Sequence, residues 1–367
     1  MRLSKEILLL AASAALIGAA APSGYSEADF AAVRKFDAHV HANRDDPRFL
    51  EIARRDGVEL LSINVDYPDF PPLALQATIA HQMQARDGKI FHFAATLSMQ
   101  GFGTPGWTER TIRALDQAFA RGAVAVKVWK NIGMVATDAA GKRVFLDDPR
   151  FDGVMTHLEQ RGIPLIAHQA EPKNCWLPLD QMTTENDRSY FKEHPEYYMY
   201  LHPEEPSYEA LMAARDRFVA RHPGLAFDGA HMASLEWSVD ELARFFDAYP
   251  NTVVDLAARM SNLQVQSNAD IAKVRGFFIK YQDRILYGTD LTDSPPDPAA
   301  RAQNPPATGD FAKEADQVWR ADWRYLATPL SQRVDAIDAD AQGLDLPRAV
   351  IDKIYWKNAR RFFKLKG

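Results

Sequence analysis

The stretch KFDAHVHAN, residues 35–43, carries two histidines two positions apart at the end of a short apolar run. Side chains on a β-strand alternate between its two faces, so we expect His39 and His41 to project to the same side. Two neutral imidazole nitrogens on one face can chelate a single cation. Because the pattern is short, a pair of ordinary polar residues at a strand end stays open as the alternative.

Three more residues of ligand type follow apolar runs further along the chain: His168 in LIAHQAEP, His231 in FDGAHMAS and Asp290 in LYGTDL. Where the carboxyl ends of parallel strands meet at one mouth, such residues can surround one ion although they are far apart in sequence. Imidazoles together with a carboxylate suit Zn²⁺, with Mn²⁺ or Fe²⁺ as alternatives. Each residue alone is compatible with an ordinary strand end, but their joint placement favours a metal site.

The elements that must position these residues read as eight strands alternating with amphipathic helices. Short apolar or β-branched runs occupy residues 35–42, 58–65, 90–97, 123–130, 163–170, 224–231, 251–258 and 284–291. This alternation predicts an α/β fold with a parallel sheet, and eight units predict its closure into a (β/α)8 TIM barrel. A doubly wound open sheet is the alternative, but no Gly-rich phosphate turn follows the first strand.

Two spacings depart from this regular pattern. An aromatic and acidic insertion, residues 171–206, follows the fifth strand, and a Pro-rich loop, residues 292–310, follows the eighth. Both come after a strand's carboxyl end, which is the active face of a barrel, so we expect a lid and a rim of a pocket there. Neither divides the chain, and residues 30–367 are predicted to form a single domain.

Composition and charge limit the classes of partner. The 367 residues carry 43 basic and 49 acidic side chains, a net charge of −6, which favours neither nucleic acid nor an anionic membrane surface. A small-molecule substrate is therefore the better expectation, and a homo-oligomer is compatible with the sequence. Cys175 is the only cysteine, so no intrachain disulfide can form.

The first 21 residues have the form of a secretory signal peptide. Arg2 and Lys5 precede an apolar run over residues 7–17, and small residues follow at 19–21. We expect cleavage near Ala20 or Ala21, a periplasmic or secreted mature protein, and no membrane span after cleavage; a retained anchor is the alternative.

Taken together, HxH on strand one, histidines on strands five and six and GTD on strand eight resemble the amidohydrolase superfamily. The segments KIYWKNARRFF and DDPRFDGVMTHLEQRGIPLIAH resemble its branch that contains aminocarboxymuconate-semialdehyde decarboxylase and related metal-dependent hydrolases. The resemblance spans residues 35–363. It implies one divalent metal held by the residues matching His39, His41, His168 and Asp290, with His231 contacting the substrate or the activated water.

The resemblance also implies roles in catalysis. Asp290 would take a proton from the attacking water and return it to the leaving group, and His231 would polarise the scissile carbonyl. Lys127 lies on strand four, where other branches carry a carbamylated lysine that bridges two metals. One ion is favoured, and two are expected if Lys127 is carbamylated; otherwise Lys127 binds a substrate carboxylate or pairs with Glu171.

Two further residues are candidates for contact with substrate. Arg259, at the end of strand seven, can clamp an anion with its guanidinium, and an ion pair with Asp255 or Asp290 is the alternative. Glu171 can orient a ligand or pair with Lys127, and a solvated loop carboxylate is its alternative role.

Three functions are compatible with these residues. The favoured one is metal-dependent hydrolysis of an amide, ester or lactone in a small, aromatic or carboxylated substrate. Non-oxidative decarboxylation of an unsaturated or aromatic acid is the second. The third, a non-catalytic binding protein on a barrel, does not account for a proton-shuttling Asp290.

Overall fold

In the computed structural model, which describes residues 24–68, 70–294 and 310–366, nine short parallel strands form the central sheet. They are β1 (Lys35–Ala42), β2 (Val58–Ile63), β3 (Phe91–Thr96), β4 (Ala123–Val128), β5 (Leu165–Ala167), β6 (Phe227–Gly229), β7 (Thr252–Asp255), β8 (Ile285–Leu286) and β9 (Leu291–Asp293). A separate antiparallel pair consists of β10 (Gln332–Val334) and β11 (Ala339–Ala341). All eight predicted strand regions contain an observed strand, so the alternation read from the sequence is confirmed.

Helices fill the intervals between the strands, as expected for this class of fold. They are α1 (Pro47–Arg55), α2 (Leu73–Asp87), α3 (Trp107–Ala120), α4 (Asn131–Met134), α5 (Asp152–Arg161), α6 (Glu185–Glu193), α7 (Tyr208–Arg221), α8 (Ala230–Ala233), α9 (Val239–Ala248), α10 (Met260–Lys280), α11 (Phe311–Ala327), α12 (Arg348–Asp352) and α13 (Asn358–Phe362). Several begin at side-chain caps; for example, Ser238 accepts a hydrogen bond from the Glu241 backbone N–H at the start of α9.

The sheet closes on itself through an eighth strand that is divided into two parts. Neighbouring strands run in the order β8, β7, β6, β5, β4, β3, β2, β1, β9, and β8 and β9 are two parts of one segment. The Ala38 N–H donates to the Tyr287 carbonyl (2.9 Å), and the Asp290 N–H donates to the His39 carbonyl (2.8 Å). Asp290 has a φ of 69°, which cannot continue a strand and explains the division. The fold is a TIM barrel, as predicted.

Apolar side chains on the two faces of the strands build two separate cores. Phe36 and Ala38 belong to a cluster inside the barrel, whereas Val40, which follows a register irregularity in β1, joins Leu60 in the cluster between the sheet and the helices. Every residue of β1 is buried. Burial on both faces explains why the sequence shows continuous apolar runs instead of alternation.

The predicted insertion after the fifth strand folds into α6 and several short 3-10 turns. It has a small core of its own, formed by Cys175, Met182, Phe191 and Tyr198. In the predicted loop after the eighth strand, residues 295–309 lie outside the described residues, as does the predicted signal peptide, residues 1–21. None of the helices in the described ranges has both the length and the apolar character needed to cross a bilayer.

Candidate metal centre

The two histidines of β1 and the aspartate of the divided eighth strand meet at the carboxyl end of the barrel. Nε2 of His39 lies 3.5 Å and Nε2 of His41 lies 3.2 Å from the same oxygen, Oδ1 of Asp290. One donor atom from each of these three residues lies within 4.8 Å of the other two. His39 and His41 are buried, whereas the Asp290 side chain is 31% exposed, so the group is open to solvent on the aspartate side.

The other ring nitrogen of each histidine is fixed by an acceptor. Nδ1 of His39 lies 2.7 Å from Oδ2 of Asp255, and Nδ1 of His41 lies 2.8 Å from the Ile63 carbonyl oxygen. A carbonyl or a carboxylate can only accept, so Nδ1 carries the hydrogen and Nε2 keeps its lone pair. Both lone pairs therefore belong to the nitrogens that face Asp290. This donor set fits a divalent cation, with the outer partners that metal-binding histidines require.

Asp255, at the end of β7, holds two of the site histidines at once. Besides His39, it accepts hydrogen bonds at Oδ1 from the backbone N–H of His231 (2.8 Å) and of Ala257 (3.1 Å). Burial opposes its charge, but the His39 imidazole and its hydrogen bond outweigh burial and lower the pKa of Asp255 to about 2. The carboxylate is thus ionised, and it also forms a second group of donors within 4.8 Å with His39 and His231.

Glycine is needed beside this pair because the backbones approach closely. A Cβ at Gly288 would lie 3.1 Å from the Cβ of His39 and 3.5 Å from that of Asp255. A side chain there would push apart the two residues whose hydrogen bond fixes the imidazole. The glycine of GTD therefore serves packing, while the aspartate of the same motif serves the site.

His231 leaves β6 in an unusual left-handed turn. His231, Met232, Ala233 and Ser234 have φ between 56° and 58°, a region that L-residues seldom occupy. Two hydrogen bonds stabilise the turn: the Ser234 hydroxyl accepts one from the Ala170 N–H and donates one to the Ala170 carbonyl. The turn brings the His231 ring to 4.8 Å from that of His39, and Nδ1 of His231 donates to the Ala257 carbonyl (2.9 Å).

His168 lies next to His231. Their ring centroids are 4.1 Å apart, and Nε2 of His168 lies 3.0 Å from the Ala170 carbonyl oxygen, to which it donates. Among the residues that the structure describes, His168 joins neither group of three donors. Burial, together with the nearby charges, lowers the pKa of both His168 and His231 well below the usual range, so both rings are neutral.

Lys127 is buried inside the barrel, next to the site histidines. Its side chain is fully buried, and Nζ lies 3.3 Å from Nε2 of His39. Burial lowers the pKa of Lys127 to about 8. The pairing with Glu171 considered from the sequence is wrong, because Glu171 forms its ion pair with Lys130, three residues further along the chain.

Arg259 lies near the site histidines and forms no salt bridge with the described residues, although it is close enough to the buried Glu236 carboxylate to favour the charge of that group. Its Nη1 donates to the Ala258 carbonyl (2.9 Å), and its buried Nε has no hydrogen-bond partner among the described residues. The ion pairs with Asp255 or Asp290 considered from the sequence are not formed within that part of the chain. Arg259 is close enough to His168 and His231 for its charge to contribute, after burial, to their lowered pKa values.

An aromatic wall borders the site. Trp129 lies 4.2 Å from Tyr67 and 6.1 Å from Phe70 between ring centroids, and Phe70 lies 5.1 Å from His41. Tyr67 and Phe70 belong to the loop after β2, and Trp129 directly follows β4. Neither Tyr67 nor Phe70 was expected at the site from the sequence.

Sequence reasoning also missed the role of Asp255, which it considered only as an ion-pair partner of Arg259. A signal was present, because Asp255 ends β7 as His168 follows β5 and His231 follows β6. Ring orientation at a metal site needs an outer acceptor, so an acidic residue at a neighbouring strand end is a candidate for that role.

Comparison with known proteins gives one family and several similar folds. A family model described as amidohydrolase matches residues 36–365. No curated protein matches the chain. An uncharacterised TIM-barrel protein from Bordetella bronchiseptica is 14% identical, with 90% of this chain and 99% of that chain covered and a TM-score of 0.52. Dihydroorotase from Campylobacter jejuni is 12% identical, with 91% and 84% covered and a TM-score of 0.50. At these identities the likeness shows the fold alone.

Proposed function

The chain belongs to the amidohydrolase family, and from this premise we propose that it is a metal-dependent hydrolase that cleaves an amide, ester or lactone bond in a small carboxylated or aromatic substrate. The proposal rests on the group of His39, His41 and Asp290 at the barrel mouth. One donor atom of each residue lies within 4.8 Å of the donor atoms of the other two. In both histidines a buried acceptor fixes the hydrogen on Nδ1 and leaves Nε2 with the lone pair that can bind a cation. This arrangement is typical of metal-binding histidines and is not required of ordinary polar residues at a strand end.

His39, His41 and Asp290 would hold the cation, and His168 is the proposed fourth ligand on the strength of the family resemblance. The donors are mostly imidazole nitrogens, which favours Zn²⁺, with Mn²⁺ or Fe²⁺ as alternatives. When bound, a divalent cation lowers the pKa of water toward neutrality and polarises a carbonyl oxygen.

The side chains around that position would handle protons and charge. Burial opposes the charge of Asp290, but the surrounding histidines, His231 first among them, hold the pKa of Asp290 well below its usual range. Asp290 is therefore ionised and exposed enough to accept a proton from water and pass it to the leaving group. Neutral His231 keeps its lone pair on Nε2 and contacts the substrate. Its fixed orientation, set by Asp255 and Ala257, limits how that substrate can lie.

Arg259 is the proposed contact for a substrate carboxylate. Its guanidinium has no salt bridge within the described ranges and lies near His168 and His231, so an anionic group of the substrate would share it with the nearby Glu236 carboxylate. The wall of Tyr67, Phe70 and Trp129 would pack against an apolar or aromatic part of the substrate.

Decarboxylation is the second candidate function, and Arg259 favours it, because the carboxylate of an acid substrate would bind its guanidinium. We further propose that the mature enzyme lies in the periplasm or is secreted, on the basis of residues 1–21. The mass of the mature protein tests this: a chain that still begins at Met1 would contradict it.

The experiment that tests the proposed function combines metal analysis with a substrate panel. The purified protein is analysed for bound metal and then assayed with lactones, esters, amides and unsaturated acids, with CO₂ release recorded in parallel. Hydrolysis that is lost on chelation and restored by Zn²⁺ supports the proposal. Metal-dependent CO₂ release without hydrolysis supports the second candidate, and a protein that neither binds metal nor turns over any substrate refutes both.

A further inference from the structure

Lys127 and Asp228 lie in the same row of the barrel interior, below the candidate metal centre. Lys127 on β4 pairs in register with Ile166 on β5, and Ile166 pairs with Asp228 on β6. Ile166 is part of the apolar cluster inside the barrel, so both charged residues point toward the same interior. Their Cα atoms are thus separated by two strand spacings, about 10 Å, which a lysine and an aspartate side chain together can bridge.

Asp228 is an acid that lacks good partners. It is fully buried, and neither carboxylate oxygen accepts a well-formed hydrogen bond from the described residues. Burial and the nearby Asp255 carboxylate raise the pKa of Asp228 well above its usual range, whereas Lys127 and the backbone N–H of Asp255 favour its charge. A buried acid without a partner is costly to ionise, so an ammonium that reaches Asp228 would stabilise its carboxylate.

Lys127 forms no hydrogen bond with Asp228 but forms one with Nε2 of His39, an atom that the proposed function requires as a metal ligand. Asp255 fixes the hydrogen of His39 on Nδ1, so the Lys127 ammonium donates to Nε2, at 3.3 Å. That Nε2 lone pair is the one that faces Asp290 and would bind a cation. One lone pair cannot accept from an ammonium and coordinate a cation together, and the two positive charges would also repel each other.

We propose that Lys127 moves between His39 and Asp228, so that the Asp228 carboxylate receives the ammonium when a divalent cation binds His39, His41 and Asp290. This inference rests on the cation site of the proposed function and deepens it. Asp228 is then a positioning residue, which acts on the metal only through Lys127.

Titration calorimetry with Zn²⁺ tests this in four proteins: the wild type, Lys127→Met, Asp228→Asn and the double variant. Lys127→Met removes the competing ammonium and should raise the affinity at least about tenfold. Asp228→Asn removes the receiving carboxylate and should lower the affinity roughly 10- to 100-fold. In the Lys127→Met background the same Asp228→Asn change should alter the affinity less than about threefold. Lys130→Met, which removes an equal charge from the ion pair with Glu171, is the matched control and should change it less than Lys127→Met does.

Three results would overturn the inference. An equal loss from Asp228→Asn with and without Lys127 would show that Asp228 acts independently of the lysine. Two bound ions in the wild type, one of them lost in Lys127→Met, would show that Lys127 bridges metals as a carbamate. No binding by the wild type would remove the proposed function as well. Thermal unfolding of each variant identifies any affinity change that comes from a misfolded barrel.

Discussion

Replacing Asp255 with asparagine should weaken cation binding, although Asp255 is not one of the proposed ligands. The carboxylate accepts three hydrogen bonds, from Nδ1 of His39 and from the backbone N–H groups of His231 and Ala257. An asparagine has one acceptor oxygen and one NH₂ group. If the oxygen faces the two backbone donors, the NH₂ faces Nδ1 of His39 and forces its hydrogen onto Nε2, where a cation can no longer bind.

If the side chain turns the other way, His39 keeps its tautomer but the NH₂ meets two N–H donors. Either arrangement loses at least one hydrogen bond to a charged acceptor, which contributes about 1.5–3 kcal/mol to stability. Mutation of a residue that orients a metal-binding histidine typically lowers metal affinity 10- to 100-fold. We therefore expect a loss of that size in Zn²⁺ affinity, equal to about 1.4–2.8 kcal/mol.

Titration calorimetry measures this loss directly, and Asp322→Asn is the matched control. Asp322 is also a buried aspartate with a side-chain hydrogen bond, from the Tyr287 hydroxyl (2.9 Å), but it has no contact with the site histidines in the described residues. The reasoning is refuted if Asp255→Asn, folded as judged by thermal unfolding, binds Zn²⁺ within about threefold of the wild type.

Three further predictions concern Asp290, the stability gained on Zn²⁺ binding, and the buried acid Asp322 outside the site. Asp290→Asn should keep bound Zn²⁺ through its amide oxygen but lower kcat at least about 10²-fold, measured on any substrate found in the panel; unchanged turnover would contradict its role as proton acceptor. Zn²⁺ at about 100 times its Kd should raise the free energy of unfolding by about 2.7 kcal/mol, and a chelator should reverse the rise in Tm; a Tm that does not respond to either would contradict a metal centre. Burial raises the pKa of Asp322 to about 7. The folded state then holds a proton that the unfolded state loses above about pH 4, so stability should fall between about pH 4 and 7. In Asp322→Asn that fall should shrink by up to roughly 4 kcal/mol, measured by urea unfolding at the two ends of the range; identical pH profiles would contradict it.

The strands and the meeting of His39, His41 and Asp290 could be predicted because they depend on local pattern and on topology. Each strand carries a run long enough to be recognised, and parallel strands must bring their carboxyl ends to one mouth. The spacing of HxH alone sets the shared face of the two imidazoles. Nothing beyond period and order was needed for these parts.

Other parts depend on side-chain reach and backbone strain, which the sequence does not display. Glu171 pairs with Lys130 instead of Lys127 because the chain turns after β4 and leaves Lys127 inside the barrel. The left-handed turn from His231 to Ser234 contains no glycine, so its positive φ angles could not be predicted from the residue types. Asp255 orients His39, which lies far away in the chain, so a local sequence pattern cannot reveal this role of Asp255.

The division of the eighth strand places the proposed cation site where the last strand of the barrel meets the first. His39 and His41 lie on the first strand to be synthesised, whereas Asp290 lies between β8 and β9, which join the last strand to the first. A nascent or partly assembled chain cannot present all three donors together, so the proposed site would form only in the finished barrel. A bound ion would then connect the first and last strands and oppose local opening between them.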